Sequence, residues 1–186
     1  MALYNRINGK ELKAKLQLSS EERTTISFYK YHHITDPAAF RNDLYKLLDQ
    51  IHVMGRIYVA NEGINAQISV PTHQLDNFKT QLFSIDFLNG IRLNLAVDDN
   101  GKSFFKLKIL VRKKIVADGL NDETFDVINC GVHVDAKRFN ELAENADTIM
   151  VDMRNHYESE VGHFKNAICP DVDTFREELK VVGELL

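Results

Sequence analysis

Over most of the first 116 residues, apolar and polar positions alternate with two periods. Across residues 24–33 a period of two puts Ile26 and Phe28 on one side and Ser27, Tyr29 and Tyr31 on the other, which predicts a strand. Thr35-Asp36-Pro37 reads as a helix start, with Asp36 as cap and Pro37 in the first turn. Phe40, Leu44, Leu47, Leu48 and Ile51 then recur at helical spacing, and Gly55 is expected to end that helix. Strands are predicted over residues 56–60 and 64–70. The second of these alternates Ile64, Ala66, Ile68 and Val70 against Asn65, Gln67 and Ser69. A second helix starts at Pro71-Thr72 and carries Leu75, Phe78, Leu82 and Ile85 on one face. Strands over residues 91–97 and 104–111 flank Asp98-Asp99-Asn100-Gly101, a hairpin turn by composition, so these two strands are expected to pair. The acidic turn lacks the ligand spacing and the downstream glutamate of a calcium loop.

Strand, helix, strand, strand, helix, strand, with one added hairpin strand, is the ferredoxin-like split βαβ order, so the predicted class is α+β. Both helices should cover one sheet face, with Ile26, Phe28, Ile57, Val59, Ile68, Leu93, Leu95, Leu107 and Ile109 turned toward them. The opposite face then presents Tyr29, Tyr31, Tyr58, Arg92, Lys106, Lys108 and Arg112, among the amides Asn65, Gln67 and Asn94. Rings on which bases can stack, interleaved with cations for phosphates, are what RNA-binding sheet faces use, so these seven residues are RNA-binding candidates. Two-layer sheets always have one polar face, and tyrosine favours strands in any case. Docking of the following domain would account for the same residues.

Residues 1–22 form a polar arm with a short helical pattern at Leu12, Leu16 and Leu18. Residues 23–116 are the ferredoxin-like domain. Residues 117–129, with Asp118-Gly119 and Asn121-Asp122, are a linker. In residues 130–186, Val132-His133-Val134 reads as a short strand and Asp135 as the cap of a helix over 136–144 with Phe139 and Leu142 inward. Residues 148–152 read as a strand, and Asp173-Thr174 caps a last helix.

Composition narrows the class. A 44% hydrophobic content supplies a core, and a net charge of −4 excludes a protein basic throughout but not one basic face. The residues after Met1 turn polar at once, and no apolar run approaches the ~20 residues that span a bilayer. Cys130 and Cys169 have no partners at metal-ligand or redox spacing. The expectation is a cytoplasmic protein without membrane association, metal site or bound cofactor. Gly63, in Glu62-Gly63-Ile64-Asn65-Ala66, implies a positive φ or a close approach of backbone, which a tight strand connection explains. His32 and His33 are adjacent on a strand and cannot chelate one metal from it.

The chemistry-bearing stretch is residues 148–168, TIMVDMRNHYESEVGHFKNAI. Its apolar run ends abruptly in Asp152 and Arg154, as a buried strand does at the end where α/β sheets build sites. Asp152 and Arg154 frame an anion-cradling cysteine loop in one reading, and in the other they form a pair that merely holds the turn. His163 bonds its own loop or supports that site. Glu158 pairs with Arg154 or caps a short helix. Cys169 has only acidic sequence neighbours, Asp171 and Asp173, and reads, like Cys130, as an ordinary thiol.

The Asp-x-Arg and Gly-His pairing resembles the opening of a rhodanese domain. Thr24 to Tyr31, Ala60 to Val70, Gly101 to Phe104, Ile115 to Gly119, Asp152 to Glu158, Val161 to Phe164 and Asp173 to Glu177 together resemble the rhodanese-domain tRNA uridine hydroxylases over nearly all 186 residues. The resemblance implies an acylphosphatase-like first domain and the first part of an α/β rhodanese domain. It also implies oxygen-dependent 5-hydroxylation of the wobble uridine, with tRNA as partner and molecular oxygen as co-substrate. The family's essential cysteine lies in a Cys-x-x-Gly-x-Arg type loop that no position here matches, so no catalytic residue is carried over and that cysteine is expected beyond Leu186. Asp152, Arg154 and His163 are the supporting residues. The alternatives are a rhodanese-type sulfurtransferase and a non-catalytic module that binds RNA or a partner. An acylphosphatase is weaker, because Gly55-Arg56-Ile57-Tyr58 does not supply a phosphate loop.

Overall fold

The computed structural model describes residues 3–4, 7–97, 102–116, 126 and 129–185. The chain forms two compact units, residues 1–116 and 117–186.

In the first unit, α1 (Gly9–Leu18) precedes β1 (Arg23–Tyr31), α2 (Pro37–Gln50), β2 (Met54–Ala60), β3 (Gly63–Pro71), α3 (Leu75–Phe83), β4 (Asn94–Leu95) and β5 (Leu107–Val111). The start of α2 follows from its sequence. The Asp36 carboxylate accepts from the amides of Ala38 and Ala39 at 3.0 and 2.9 Å, and Pro37 occupies a position whose N–H would be unpaired anyway. The five strands lie in the order β4-β1-β3-β2-β5. β1 and β2 flank β3 antiparallel, β4 adds antiparallel to β1, and β5 adds parallel to β2. The first four strands have the expected ferredoxin-like order.

Helices α2 and α3 cover one face. Leu44, Leu48, Phe78 and Leu82 from the helices meet Ile26, Phe28, Ile57, Val59, Ile68 and Ile109 from the sheet, all buried. Each such side chain is worth roughly 1.5–3 kcal/mol of burial.

The expected hairpin between the last two strands is not formed. Its turn, Asp98 to Gly101, lies outside the described residues, but β4 and β5 sit on opposite edges of the sheet. The edge beside β2 is the one where Leu107 and Ile109 become buried, at 5% and 1% exposure. A turn-like composition reports a reversal of the chain and not which strand the next one joins. β4 is only two residues long, and Leu95, expected under the helices, is 58% exposed at its edge. Gly55 does not end α2. It lies inside β2, against the backbone of Ile68.

The second unit contains α4 (Ala136–Ala143), α5 (His156–Val161) and α6 (Phe175–Leu185). Asp135 caps α4 by accepting from the Arg138 amide, as expected. Thr174 accepts from the Glu177 amide and donates to its carboxylate, a reciprocal pair at the start of α6. The strand expected at residues 132–134 is absent, and Val132 is 91% exposed. The strand expected over 148–152 is reduced to a parallel bridge between Val151 and Ile168.

Gly63 has φ +146°, and a Cβ there would stand 2.1 Å from the Lys30 carbonyl oxygen, which cannot move without opening the β1–β3 ladder. Gly63→Ala is therefore expected to lower the unfolding free energy by at least about 2 kcal/mol, read by urea denaturation with the slope unchanged.

Candidate functional site

Strand register places the residues of the face turned away from the helices in rows. Asn94, Ser27, Gln67, Arg56 and Lys108 form one row across all five strands. Tyr29, Asn65, Tyr58 and Leu110 form the next. Tyr29 is 61% exposed and meets Tyr31 edge-on, with ring centroids 6.4 Å apart. The Arg112 guanidinium lies over the Tyr58 ring at 5.6 Å. Five of the seven expected residues, Tyr29, Tyr31, Tyr58, Lys108 and Arg112, thus share one region. Arg92 is exposed but precedes β4, and no strand pairing places it on this face. Lys106 precedes β5 and sits 5.7 Å from the Phe105 ring. Arg56 was not among the sequence candidates, although its spacing of two from Tyr58 and its place opposite Lys108 put it on the same face.

This face is only partly open. The Asn65 amide donates to the Ile115 carbonyl at 3.3 Å, and the Ile115 amide donates to the Glu62 carboxylate at 2.6 Å. Ile115 is 3% exposed, so the chain leaving β5 folds back over the Asn65 row. At the other end the Arg23 guanidinium is buried and donates to the Ser69 hydroxyl, the Ser69 and His52 carbonyls and the Glu21 carboxylate. Between these closed ends lie Tyr29, Tyr58, Arg56 and Lys108, a platform of rings and cations.

The second unit brings Asp152, Arg154 and His163 to the loops beside the Val151–Ile168 bridge. Arg154 donates to both Asp152 oxygens, from Nε at 2.9 Å and from a terminal nitrogen at 2.5 Å, and the same terminal nitrogen reaches the Gly162 carbonyl at 2.6 Å. The hydrogen bond from Arg154 holds the Asp152 carboxyl below its ordinary range. His163 Nδ1 lies 3.0 Å from the Ser159 carbonyl, which only accepts, so Nδ1 carries a proton and donates it there. Glu158 makes no direct ion pair with Arg154 but adds to the electrostatic field that raises the guanidinium pKa, after the Asp152 hydrogen bond, and its carboxylate accepts from the Asn155 side-chain amide and not from a backbone N–H of α5.

Two features escaped the sequence. Cys169 has more than acidic neighbours, because the parallel bridge carries it close enough to Arg154 to help raise the guanidinium pKa. Glu178 is 1% exposed, and one of its carboxylate oxygens has no hydrogen-bond partner among the described residues. Burial, and then the Asp152 charge, push its carboxyl up. Only the i+4 spacing of Glu178 from Thr174 hinted that it would turn inward. Cys130 is exposed, and no cluster of metal-ligating side chains occurs among the described residues. None of the described helices is long and apolar enough to cross a membrane.

A family model described as the UPF0176 acylphosphatase like domain matches residues 23–115. Across 185 residues, 99% of this chain, identity is 55% to a tRNA uridine(34) hydroxylase of Photorhabdus laumondii and 55% to one of Pectobacterium atrosepticum. It is 52% over the same span to one of Escherichia coli K12. The aligned span is 53%, 52% and 53% of those three proteins, so the chain spans about half the length of the curated relatives it matches.

Glu178→Gln is expected to stabilise the second unit at neutral pH. A carboxyl whose folded pKa is raised binds its proton more tightly when folded. Stability is therefore complete below its unfolded pKa and falls as pH rises toward the folded one. Denaturation midpoints measured at several pH values should show the variant above wild type at pH 7 and the two converging near pH ~4.

Proposed function

The chain belongs to the UPF0176 acylphosphatase-like family, and from that membership we propose that it contributes the RNA-holding domain and the rhodanese frame of a tRNA uridine(34) hydroxylase. The observation that carries this reading is the 55% identity, maintained over 99% of the chain, to relatives bearing that name. Identity of that extent spans both units, so it supports a shared reaction and not merely a shared first domain.

The substrate is tRNA, and the reaction is oxidative, placing oxygen on C5 of the wobble uridine with molecular oxygen as co-substrate, in the cytoplasm. Tyr29 and Tyr58 offer faces for unstacked bases, and Arg56, Lys108 and Arg112 neutralise phosphates beside them. A wobble base must leave its stack to be modified, and an aromatic platform lowers the cost of holding neighbouring bases apart. In the second unit, Asp152, Arg154 and His163 brace the loops beside the Val151–Ile168 bridge, as supporting residues of a rhodanese site. Arg154 ties Asp152 to Gly162 across the loop.

The test is mass spectrometry of tRNA nucleosides from a strain lacking the gene, complemented with this chain or with one extended through the next cysteine loop. Hydroxyuridine derivatives are expected with the extended chain alone. Their absence with both chains, or sulfur on the base in their place, removes the hydroxylase reading. Separately, Tyr29→Ala is expected to weaken tRNA binding by about 5- to 150-fold at fixed salt, the equivalent of ~1–3 kcal/mol for one stacked base.

A further inference from the structure

The free edge of β5 borders a groove of about 520 Å³ that runs between this strand and α2. The parallel register sets which backbone groups face it. The Gly55 amide donates to the Lys106 carbonyl and the Arg112 amide donates to the Val59 carbonyl, so the groups of residues 106, 108, 110 and 112 point toward β2. Those of Leu107, Ile109 and Val111 point outward into the groove. One outward acceptor is already engaged, since Arg41 Nε donates to the Ile109 carbonyl at 2.9 Å.

Arg41 is 6% exposed, and its other two nitrogens donate to the Asn42 side chain and the Leu3 carbonyl. All of these partners are neutral, and among the described residues no carboxylate pairs with the guanidinium. Its pKa is lowered by burial, the sign of a cation held where water does not fully compensate it. Lys106 and Lys108 line the same groove, and no Asp or Glu does so among the described residues. The groove therefore offers two lysines in front of the buried charge of Arg41 and a row of outward N–H groups, with its central carbonyl blocked.

We propose that this groove at the β5 edge, with Arg41, Lys106 and Lys108, holds the sugar-phosphate backbone of tRNA as it leaves the platform of rings and cations. The proposal rests on the tRNA reading above and assigns where the phosphates go. An added peptide strand needs donors and acceptors in alternation, and Arg41 already occupies the central acceptor. A phosphodiester only accepts, and its charge complements Lys106 and Lys108 and the buried guanidinium behind them, which has no carboxylate partner among the described residues. Lys108 joins the two surfaces, because it lines the groove and also stands opposite Arg56 in the row across the open face.

The experiment is a titration of the 186-residue chain with a labelled, unmodified tRNA transcript over a range of salt. Arg41 is left in place because it fastens α2 to β5. Lys106→Ala/Lys108→Ala is expected to weaken binding and to reduce the slope of log K against log salt by about 1.4, the share of two phosphate contacts on a single strand; Lys106→Ala alone, which touches only the groove, is expected to account for about half of that, and a wild-type slope in it overturns the groove. Tyr58→Ala is expected to weaken binding with the slope unchanged. A double variant that keeps the wild-type slope overturns the groove while a Tyr58→Ala effect leaves the tRNA reading standing. Wild-type chain that does not bind tRNA overturns both. If polyglutamate binds the wild-type chain and is lost from the double variant while tRNA binding is unaffected, the groove belongs to a protein partner and the proposal falls.

Discussion

Everything on the open face depends on β3 lying between β1 and β2. Nine residue pairs join it to β1 and seven join it to β2, and this double ladder decides which side chains share a row. Ile64, Ala66, Ile68 and Val70 are fully buried on its helix side, so a slip of one residue would drive four apolar side chains onto the polar face. Two glycines let the neighbouring backbones come close enough. Gly63 meets the end of β1 at the Lys30 carbonyl, and Gly55 lies against Gln67 and Ile68 within β3. The geometry of the platform of rings and cations is therefore a consequence of steric constraints on the strands that carry the tyrosines and on the strand between them.

The strands and helices of the first unit were legible because each buries one face, and burial imposes period two or period 3.6 directly on the residue types. Ile64 to Val70 showed its strand without ambiguity, and Asp36-Pro37 showed its helix start. The place of β5 was not legible. Leu107 and Ile109 announce a buried strand, but nothing in their spacing says that the buried seat is beside β2 and not beside β4. Sheet order comes from long-range packing, and the hairpin composition at residues 98–101 pointed the wrong way. Gly63 was read correctly as a close approach, because glycine is the residue that tolerates it.

Charged residues divided along similar lines. The exposed cations at Lys108 and Arg112 could be assigned to a face by alternation alone. Arg23 and Arg41 could not, because arginine in a sequence reads as surface. Both are buried, and both donate to backbone carbonyls that regular pairing leaves over: Ser69 and His52 for Arg23, Ile109 and Leu3 for Arg41. A guanidinium can do this without losing its charge, since its proton is held far more tightly than that of lysine. The same residue type thus closes the sheet at its margins and lines its open face. Burial and partners separate the two roles, and neither is written in the sequence.

The second unit differs from the first in this chain, which spans about half the length of the relatives it matches. Every buried hydrophobic residue among those described belongs to the first unit, and Val132, Ile149, Val161 and Phe164 in the second are exposed. Order at the candidate site there comes from polar contacts that span few residues, such as Arg154 to Asp152 and to Gly162. Within that frame two carboxyl groups are driven apart. Asp152 is held as an anion by the guanidinium it accepts from, and Glu178 is pushed toward the neutral acid, first by burial and then by the Asp152 charge. The two shifts reinforce one another, because the more firmly Asp152 keeps its charge, the more Glu178 resists acquiring one.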